Sequence, residues 1–259
     1  MSSLQHDAST TVNAQEIAQF KHSSTSWWDK EGYAKLLHTL NPLRVPWIVD
    51  GIVEAGLVSK DRIGSSKSLE GLKILDVGCG AGILSEALAE FGCTVVGLDP
   101  CADMIHEAKK HMALNPSLTN ITYINETVEQ HAEKHMEEYD AVVASKVIEH
   151  VDQPDLFLDM CCRCLKPGAP IYVTTFNKTW TSWFFRFIRQ FLSGHSHHHH
   201  EANPWYKFIC PEDVQKSLEK YNCVTKHVRG MYYNLLTYTW YWSYFHLISY
   251  ALYAVKDKK

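Results

Sequence analysis

The sequence predicts a single α/β domain with a seven-stranded, mostly parallel sheet and helices on both of its faces. Between residues 72 and 175, short apolar runs alternate with stretches of helical periodicity, which is the pattern of parallel strands joined by helices. The first apolar run enters a turn with glycine at positions 78, 80 and 82. A length of 259 residues with 46% hydrophobic residues is enough for one large domain with a full core.

The composition excludes some partners and compartments. The net charge of -4 is small, and no cluster of lysine and arginine could follow a phosphate backbone, so we expect no nucleic-acid partner. The eight cysteines form neither a disulfide framework nor a paired zinc motif, which favours a reducing compartment. Residues 1–15 are polar and lack arginine, so they predict neither a secretory signal nor a typical transit peptide. The run His197–His200 is interpreted as a solvated loop.

Residues 1–70 are predicted to hold N-terminal helices and a linker. Apolar residues recur at helical spacing over residues 14–38, which predicts a helix there. Asn41-Pro42-Leu43-Arg44 predicts a turn and a second helix start, and residues 45–55 continue that helix. Residues 58–70 are rich in serine and lysine and are predicted to form a polar linker.

Residues 71–175 are predicted to form the ligand-binding core of the sheet. Buried parallel strands appear in a sequence as short, continuous apolar runs, and the helices between them show 3.6-residue periodicity. The predicted strands are residues 73–77, 94–98, 121–124, 140–144 and 170–175, and the predicted helices are residues 83–91, 101–113 and 154–165.

The last part of the chain is predicted to be an aromatic insertion over residues 176–210, followed by a helix and two strands over residues 211–259. Residues 179–192 are strongly aromatic and helical in pattern, and we expect them to cover an acceptor pocket. Residues 230–255 contain no Asp, Glu, Lys or Arg, so a membrane span is one interpretation. Polar residues and tyrosines interrupt that stretch, which favours two late strands of the same sheet.

The glycine-rich turn predicts a site for a small nucleoside-containing ligand. Gly78, Gly80 and Gly82 let the backbone approach a ligand closely at the start of a helix. Asp99 ends the next predicted strand, where a carboxylate can accept hydrogen bonds from both hydroxyl groups of a ribose. The dinucleotide fingerprint needs a small residue at its sixth position. Ile83 occupies that position, which argues against a nicotinamide cofactor.

These motifs resemble those of a known family. Asp76 to Gly82, followed by Asp99, resembles the first two motifs of the class I S-adenosylmethionine-dependent methyltransferases. Further segments resemble the ubiquinone-biosynthesis O-methyltransferases, most closely the mitochondrial members: Trp27-Trp28-Asp29, Glu31-Gly32, Asn41-Pro42-Leu43-Arg44, Glu149-His150-Val151, Leu165-Lys166-Pro167-Gly168, Asn177-Lys178-Thr179, Trp205-Tyr206-Lys207-Phe208 and Tyr233-Asn234. The resemblance implies a Rossmann-like fold and methyl transfer to a phenolic hydroxyl of polyprenyl dihydroxybenzoate or demethylubiquinol intermediates.

The resemblance also implies which residues bind S-adenosylmethionine: Arg44, Gly78, Asp99 and Ser145. Arg44 could hold the methionine carboxylate in a bidentate pair, although a surface salt bridge is an alternative role for it. Ser145 follows the fourth predicted strand, at the edge where open α/β sheets bind their ligands.

The second cofactor that the resemblance implies is Mg²⁺, held by a Glu-x-x-Glu-His cluster. Here that cluster is Lys146 to His150, so Glu149 and His150 are the predicted metal ligands and Lys146 replaces the first glutamate. An ammonium group has no lone pair to give a metal. Three outcomes stay open: water or substrate oxygens complete a weakened site, Lys146 stabilises the phenolate in place of the metal, or the protein turns over poorly. His150 and Lys146 are the predicted catalytic residues.

The resemblance implies a location and partners as well. They are the matrix side of the mitochondrial inner membrane, peripheral membrane contact, a polyprenylated phenolic substrate and a multi-subunit ubiquinone-biosynthesis complex. Two other functions remain open at the level of sequence. One is methyl transfer to a different small molecule, and the other is a catalytically weak, methyltransferase-like subunit of a membrane complex.

Overall fold

A computed structural model describes residues 10–185 and 205–258 of the chain. In these residues one eight-stranded sheet has the strand order β3-β2-β1-β4-β5-β8-β6-β7. Its strands are β1 (Lys73–Val77), β2 (Thr94–Leu98), β3 (Ile121–Ile124), β4 (Ala141–Ser145), β5 (Pro170–Phe176), β6 (Cys223–Asn234), β7 (Thr239–Ser243) and β8 (Ser249–Lys256). The strands β1 to β5 pair in parallel, whereas β6, β7 and β8 pair antiparallel. The predicted α/β fold with a mostly parallel sheet is therefore confirmed.

Helices cover both faces of this sheet. They are α1 (Ala14–Ser23), α2 (Lys35–Glu54), α3 (Ile83–Ala89), α4 (Ala102–Met112), α5 (Val128–Ala132), α6 (Pro154–Cys164), α7 (residues 180–185) and α8 (Pro211–Lys220). The buried core on one face includes residues of α2, α3 and α4, and the core on the other face includes residues of α5, α6 and α8. The helix α5 was not predicted from the sequence, because a helix of five residues has too few turns to show periodicity.

The strand count is one higher than predicted. The uncharged stretch 230–255 holds the end of β6, all of β7 and most of β8, not two strands. A turn divides β6 from β7, where the Asn234 side chain accepts hydrogen bonds from the backbone N–H groups of Leu236 and Thr237. The strand β6 also begins earlier, at Cys223. After Cys223 its first half is half-buried or exposed, so it tolerates charged residues such as Lys226 and Arg229.

The predicted turn at Asn41-Pro42-Leu43-Arg44 is wrong, because α2 runs through it. A proline inside a helix removes one backbone hydrogen bond and clashes with the preceding turn, and α2 contains both Pro42 and Pro46. Its apolar residues are nevertheless buried on both sides of these prolines, with Leu40 and Ile48 fully buried. Tertiary packing therefore outweighs the local cost.

The predicted helix over residues 14–38 is also interrupted. The helix α1 ends at Ser23. A short 3-10 helix (Ser24–Ser26) and turns follow before α2 begins at Lys35. In this interruption Trp27 is buried, and the Trp28 indole N–H donates to the carbonyl oxygen of Ala81 at 3.0 Å. The break in the helix therefore lets Trp27 and Trp28 pack against the glycine-rich turn.

Part of the predicted insertion lies outside the described residues. Of the aromatic stretch 179–192, residues 180–185 are helical, and residues 186–192 are not described. The run His197–His200 is also outside the described range. No described helix has the length and hydropathy needed to cross a bilayer.

Candidate functional site

A cavity of about 780 Å³ lies at the carboxyl end of the parallel strands, within the size range of small-molecule sites. The strand order reverses between β1 and β4, and such a switch point is where open α/β sheets bind ligands. Five of the predicted site residues line this cavity: Gly78, Asp99, Lys146, Glu149 and His150. The other two predicted residues, Arg44 and Ser145, do not border it.

The glycine-rich turn needs glycine for both conformation and space. Gly78 has a φ of 69°, and a Cβ atom there would lie 2.4 Å from Val147 Cγ2. Gly80 has a φ of 55°, and a Cβ atom there would lie 2.8 Å from the Trp27 ring. Other residues rarely adopt this left-handed region. The turn therefore brings bare backbone to the cavity wall.

Asp99 follows β2, and backbone donors hold its carboxylate. Its Oδ2 accepts from the Gly80 N–H at 2.9 Å, and its Oδ1 accepts from the Cys101 N–H at 2.8 Å. Burial raises the pKa of Asp99 to about 6, although the two backbone hydrogen bonds oppose that rise. Each carboxylate oxygen can accept a further hydrogen bond, so Asp99 can still bind two hydroxyl groups of a ligand.

Arg44 lies in a buried polar cluster. Its Nε donates to Asn41 Oδ1 at 2.8 Å, and its Nη1 donates to Ser145 Oγ at 2.7 Å. Ser145 Oγ in turn lies 2.7 Å from Thr174 Oγ1. Burial lowers the pKa of Arg44 to about 10, and the charge of Asp76 opposes this. The cluster joins two of the predicted cofactor residues, and their contact with S-adenosylmethionine stays a prediction.

Lys146 is the first residue after β4 and has a φ of 62°, an uncommon value for a residue with a side chain. Its backbone N–H donates to Thr174 O at 2.8 Å, which continues the pairing of β4 with β5. Its Nζ is buried and lies 3.5 Å from the centroid of the Phe176 ring and 5.8 Å from that of Trp240. This is the geometry of a cation–π contact.

Glu149 is fully buried and lines the same cavity. Its Oε2 accepts a hydrogen bond from the Thr175 hydroxyl at 2.7 Å. Its Oε1 is buried and has no hydrogen-bond partner among the described residues. Leaving such an acceptor unsatisfied costs about 1–3 kcal/mol, so this oxygen is available to a water molecule or a ligand.

His150 is held by a buried ionic network that no sequence pattern indicates. Its Nδ1 donates to Glu16 Oε2 at 3.0 Å, and Lys207 Nζ donates to Glu16 Oε1 at 3.2 Å. Lys207 Nζ also lies 3.3 Å from Asp152 Oδ1. Burial acts to raise the pKa of Glu16, but the hydrogen bonds and charges of His150 and Lys207 outweigh it, so that pKa is lowered. Glu16 is 134 residues from His150, and no local pattern could have linked them.

The donor set does not fit a magnesium site. Within residues 10–185 and 205–258, no group of three or more His, Cys, Asp or Glu side chains is arranged to hold a metal. Glu149 offers a single free oxygen, His150 already uses Nδ1, and Lys146 brings a positive charge to the position of the family's first glutamate. Magnesium prefers several oxygen ligands in near-octahedral geometry, so no step is assigned to Mg²⁺.

Comparisons with known proteins agree with this architecture. A family model described as a methyltransferase domain matches residues 56–228. The human mitochondrial ubiquinone biosynthesis O-methyltransferase is 38% identical over 98% of this chain and 68% of its own length. The ubiquinone biosynthesis O-methyltransferase of Klebsiella pneumoniae (strain 342) is 35% identical over 88% of this chain and 87% of its own length.

Solved structures show the same fold at low identity. Magnesium protoporphyrin IX methyltransferase from Synechocystis PCC 6803, with bound SAH, has a TM-score of 0.57 at 18% identity, covering 96% of this chain and 90% of that one. The predicted class I methyltransferase fold is thereby confirmed. The identities, coverage and family model confirm the predicted family too: the chain belongs to the ubiquinone biosynthesis O-methyltransferases.

Proposed function

We propose that this chain transfers the methyl group of S-adenosylmethionine to a phenolic hydroxyl of a polyprenyl dihydroxybenzoate or demethylubiquinol in ubiquinone biosynthesis. The observation that carries the proposal is one cavity bordered by two sets of residues. Gly78 and Asp99, from the cofactor motif, line it, and so do Lys146, Glu149 and His150, from the segment that follows β4. The name of the human relative supports this assignment. Solved structures of similar fold that contain bound SAM or SAH support the choice of cofactor.

S-adenosylmethionine, when bound, supplies an electrophilic methyl group on a sulfonium. The residues of this chain position the two reactants and exclude water, which can account for much of the rate of a direct displacement. Asp99 would hold the ribose through its remaining lone pairs. The rest of the wall is largely apolar, with Leu40, Phe208 and Trp240 among its residues. Such a wall suits an aromatic ring with a hydrocarbon tail.

The proposal is tested with purified protein, a short-chain dihydroxybenzoate and isotopically labelled S-adenosylmethionine, with products identified by mass spectrometry. Methyl transfer to a phenolic oxygen by the wild type supports the proposal, provided that Asp99→Ala loses both this transfer and cofactor binding. Transfer to an amine or thiol but not to a phenol would instead favour a different small-molecule methyltransferase. Cofactor binding without any transfer would favour the catalytically weak subunit, and failure to bind S-adenosylmethionine would refute both enzyme functions.

Peripheral membrane contact is a further part of the proposal, because a polyprenyl tail partitions into lipid. Large apolar side chains are strongly exposed on α7 and on the turns beside β7: Trp180 at 78%, Leu236 at 90% and Tyr244 at 92%. The residues Leu235 and Tyr238 of the same turns border the cavity. These exposed side chains would place the cavity entrance near a bilayer surface.

Vesicle flotation tests this contact. Leu236→Ser with Tyr244→Ser should reduce flotation with lipid vesicles, whereas Leu114→Ser should not. Leu114 is also strongly exposed, at 76%, but follows α4 and does not border the cavity. Equal flotation of all variants would contradict the proposed surface. Relatives named as mitochondrial support a mitochondrial location. The inner membrane and a multi-subunit complex stay predictions from the family.

A further inference from the structure

This chain departs from the family's Glu-x-x-Glu-His pattern at a residue that lines the cavity. Lys146 stands where the family pattern has a carboxylate. A divalent cation in such a site would lower the pKa of a bound hydroxyl and stabilise the oxygen anion. An ammonium group cannot ligate a metal, but it can carry out the second task itself as a positive charge with three hydrogen-bond donors.

The structure places that ammonium group in a fixed, water-poor position. Lys146 Nζ is buried, lies 3.5 Å from the centroid of the Phe176 ring and belongs to a residue that lines the cavity. The left-handed backbone of Lys146 and its hydrogen bond to Thr174 O fix the start of the side chain. In a site that excludes water, a preorganised charge stabilises a developing anion more strongly than it would in solvent.

Glu149 supplies the complementary group. Its Oε2 is anchored by the Thr175 hydroxyl at 2.7 Å, while its buried Oε1 has no hydrogen-bond partner among the described residues. Both Glu149 and Lys146 border the same cavity. One anchored oxygen and one open oxygen are what a carboxylate needs in order to accept a proton from a ligand with a defined orientation.

We propose that Lys146 and Glu149 activate the phenol without a metal ion, within the methyl transfer proposed above, on which this inference rests. The phenol O–H bond breaks and its proton passes to Glu149 Oε1, while the Lys146 ammonium stabilises the phenolate oxygen. That oxygen then bonds the methyl carbon as the carbon–sulfur bond breaks, and the electron pair of that bond remains on sulfur as a neutral thioether. Glu149 returns the proton to water after the product leaves.

Three substitutions at one position test the proposal. Lys146→Met removes the charge but keeps an apolar stem and should lower kcat by about 10²–10³-fold, as the loss of one preorganised donor does. Lys146→Arg keeps the charge and should retain more activity. Lys146→Glu restores the family's carboxylate and should be inactive in EDTA but active again with Mg²⁺. Wild-type turnover should be the same in EDTA and in Mg²⁺.

A measurement without turnover separates this inference from the proposed function. Titration with Mn²⁺, followed by the electron paramagnetic resonance signal of the free ion, should show no site in the wild type and one site in Lys146→Glu. Calorimetry with S-adenosylhomocysteine should give equal affinities, which shows that each variant is folded.

Wild-type activity that EDTA abolishes and Mg²⁺ restores, or a wild-type Mn²⁺ site, overturns metal-free activation. The absence of any methyl transfer overturns the proposed function, and with it the roles of Lys146 and Glu149, while the titration still reports whether the site binds a metal.

Discussion

Substitution of Gly78 by alanine tests whether the glycine-rich turn is as tightly fitted as the structure indicates. Two independent costs apply at this position. Gly78 has a φ of 69°, and an added Cβ atom would lie 2.4 Å from Val147 Cγ2 and 2.8 Å from Val147 Cβ. The first cost is conformational and depends only on the backbone. The second is steric and depends on a side chain from the loop that follows β4.

Gly56 separates the two costs. It has a φ of 78° at the end of α2, and nothing lies within 4 Å of a Cβ atom placed there. Gly56→Ala should therefore lower the free energy of unfolding only by the cost of a left-handed alanine, about 1–2 kcal/mol. Gly78→Ala should lower it by that amount and by a further overpacking cost of about 1–3 kcal/mol, which gives about 2–5 kcal/mol in total.

Urea unfolding of the purified variants gives these free energies directly. The double variant Gly78→Ala/Val147→Ala should recover part of the steric cost, because it removes Val147 Cγ2 but leaves Cβ in place. The double-mutant cycle then gives a coupling free energy of opposite sign to the single losses. Calorimetry with S-adenosylhomocysteine should show weaker binding for Gly78→Ala than for Gly56→Ala, since Gly78 borders the cavity and Gly56 does not. Equal losses of stability at Gly56 and Gly78 would refute the steric cost assigned to Val147.

Two further predictions concern charge. Burial raises the pKa of Asp99 to about 6. If Asp99 binds the ribose as proposed, the ribose hydroxyls donate to its ionised form. Calorimetry should then show full cofactor affinity above pH 6 and a loss approaching about tenfold per pH unit below it. The pH dependence should disappear in Asp99→Asn and persist in Asp76→Asn; its persistence in Asp99→Asn would assign it to another group. Glu16→Gln breaks a buried network with His150 and should lower the free energy of unfolding by about 1–3 kcal/mol. The control is Glu31→Gln, which removes an exposed pair with Lys35 and should cause no measurable loss of the free energy of unfolding in urea. Equal losses in Glu16→Gln and Glu31→Gln would refute a stabilising role of the network.

The placement of Gly78 and Asp99 at the cavity could be predicted from the sequence because its determinants are local, whereas Arg44 and Ser145, also predicted to bind the cofactor, do not border the cavity. The strands β1 and β2 lie at the predicted residues, 73–77 and 94–98, since a buried parallel strand needs an unbroken apolar run. The Gly78 turn and Asp99 follow those strands directly, and parallel strands bring their carboxyl ends to one edge. The backbone hydrogen bond from Gly80 to Asp99 Oδ2 joins the two motifs across only 19 residues.

The later strands and α2 were harder to predict because tertiary packing decides them. Pro42 and Pro46 locally oppose a helix, and only the burial of α2 against the sheet and α3 reverses that preference. The stretch 230–255 has no Asp, Glu, Lys or Arg to mark a boundary between strands. The turn that divides β6 from β7 contains Asn234, whose side chain accepts hydrogen bonds from Leu236 and Thr237. For α2 and for the stretch 230–255, the apolar pattern is present in the sequence, but it does not contain the interactions that set the ends of the helix and strands.

The acceptor half of the site depends on contacts that no local pattern contains. Residues 11–16 reach it through three polar contacts: Thr11 N–H to Glu129 Oε1 at 2.6 Å, Asn13 Nδ2 to Asp152 Oδ1 at 2.9 Å, and Glu16 to His150 at 3.0 Å. Each contact joins residues more than 100 positions apart. Hydrogen bonds to charged groups contribute about 1.5–3 kcal/mol each, so this N-terminal segment is part of the wall that fixes His150. The motif Glu149-His150 therefore indicates which groups are present, whereas Thr175 on β5 and Glu16 in the folded N-terminal segment determine which of their atoms are already engaged.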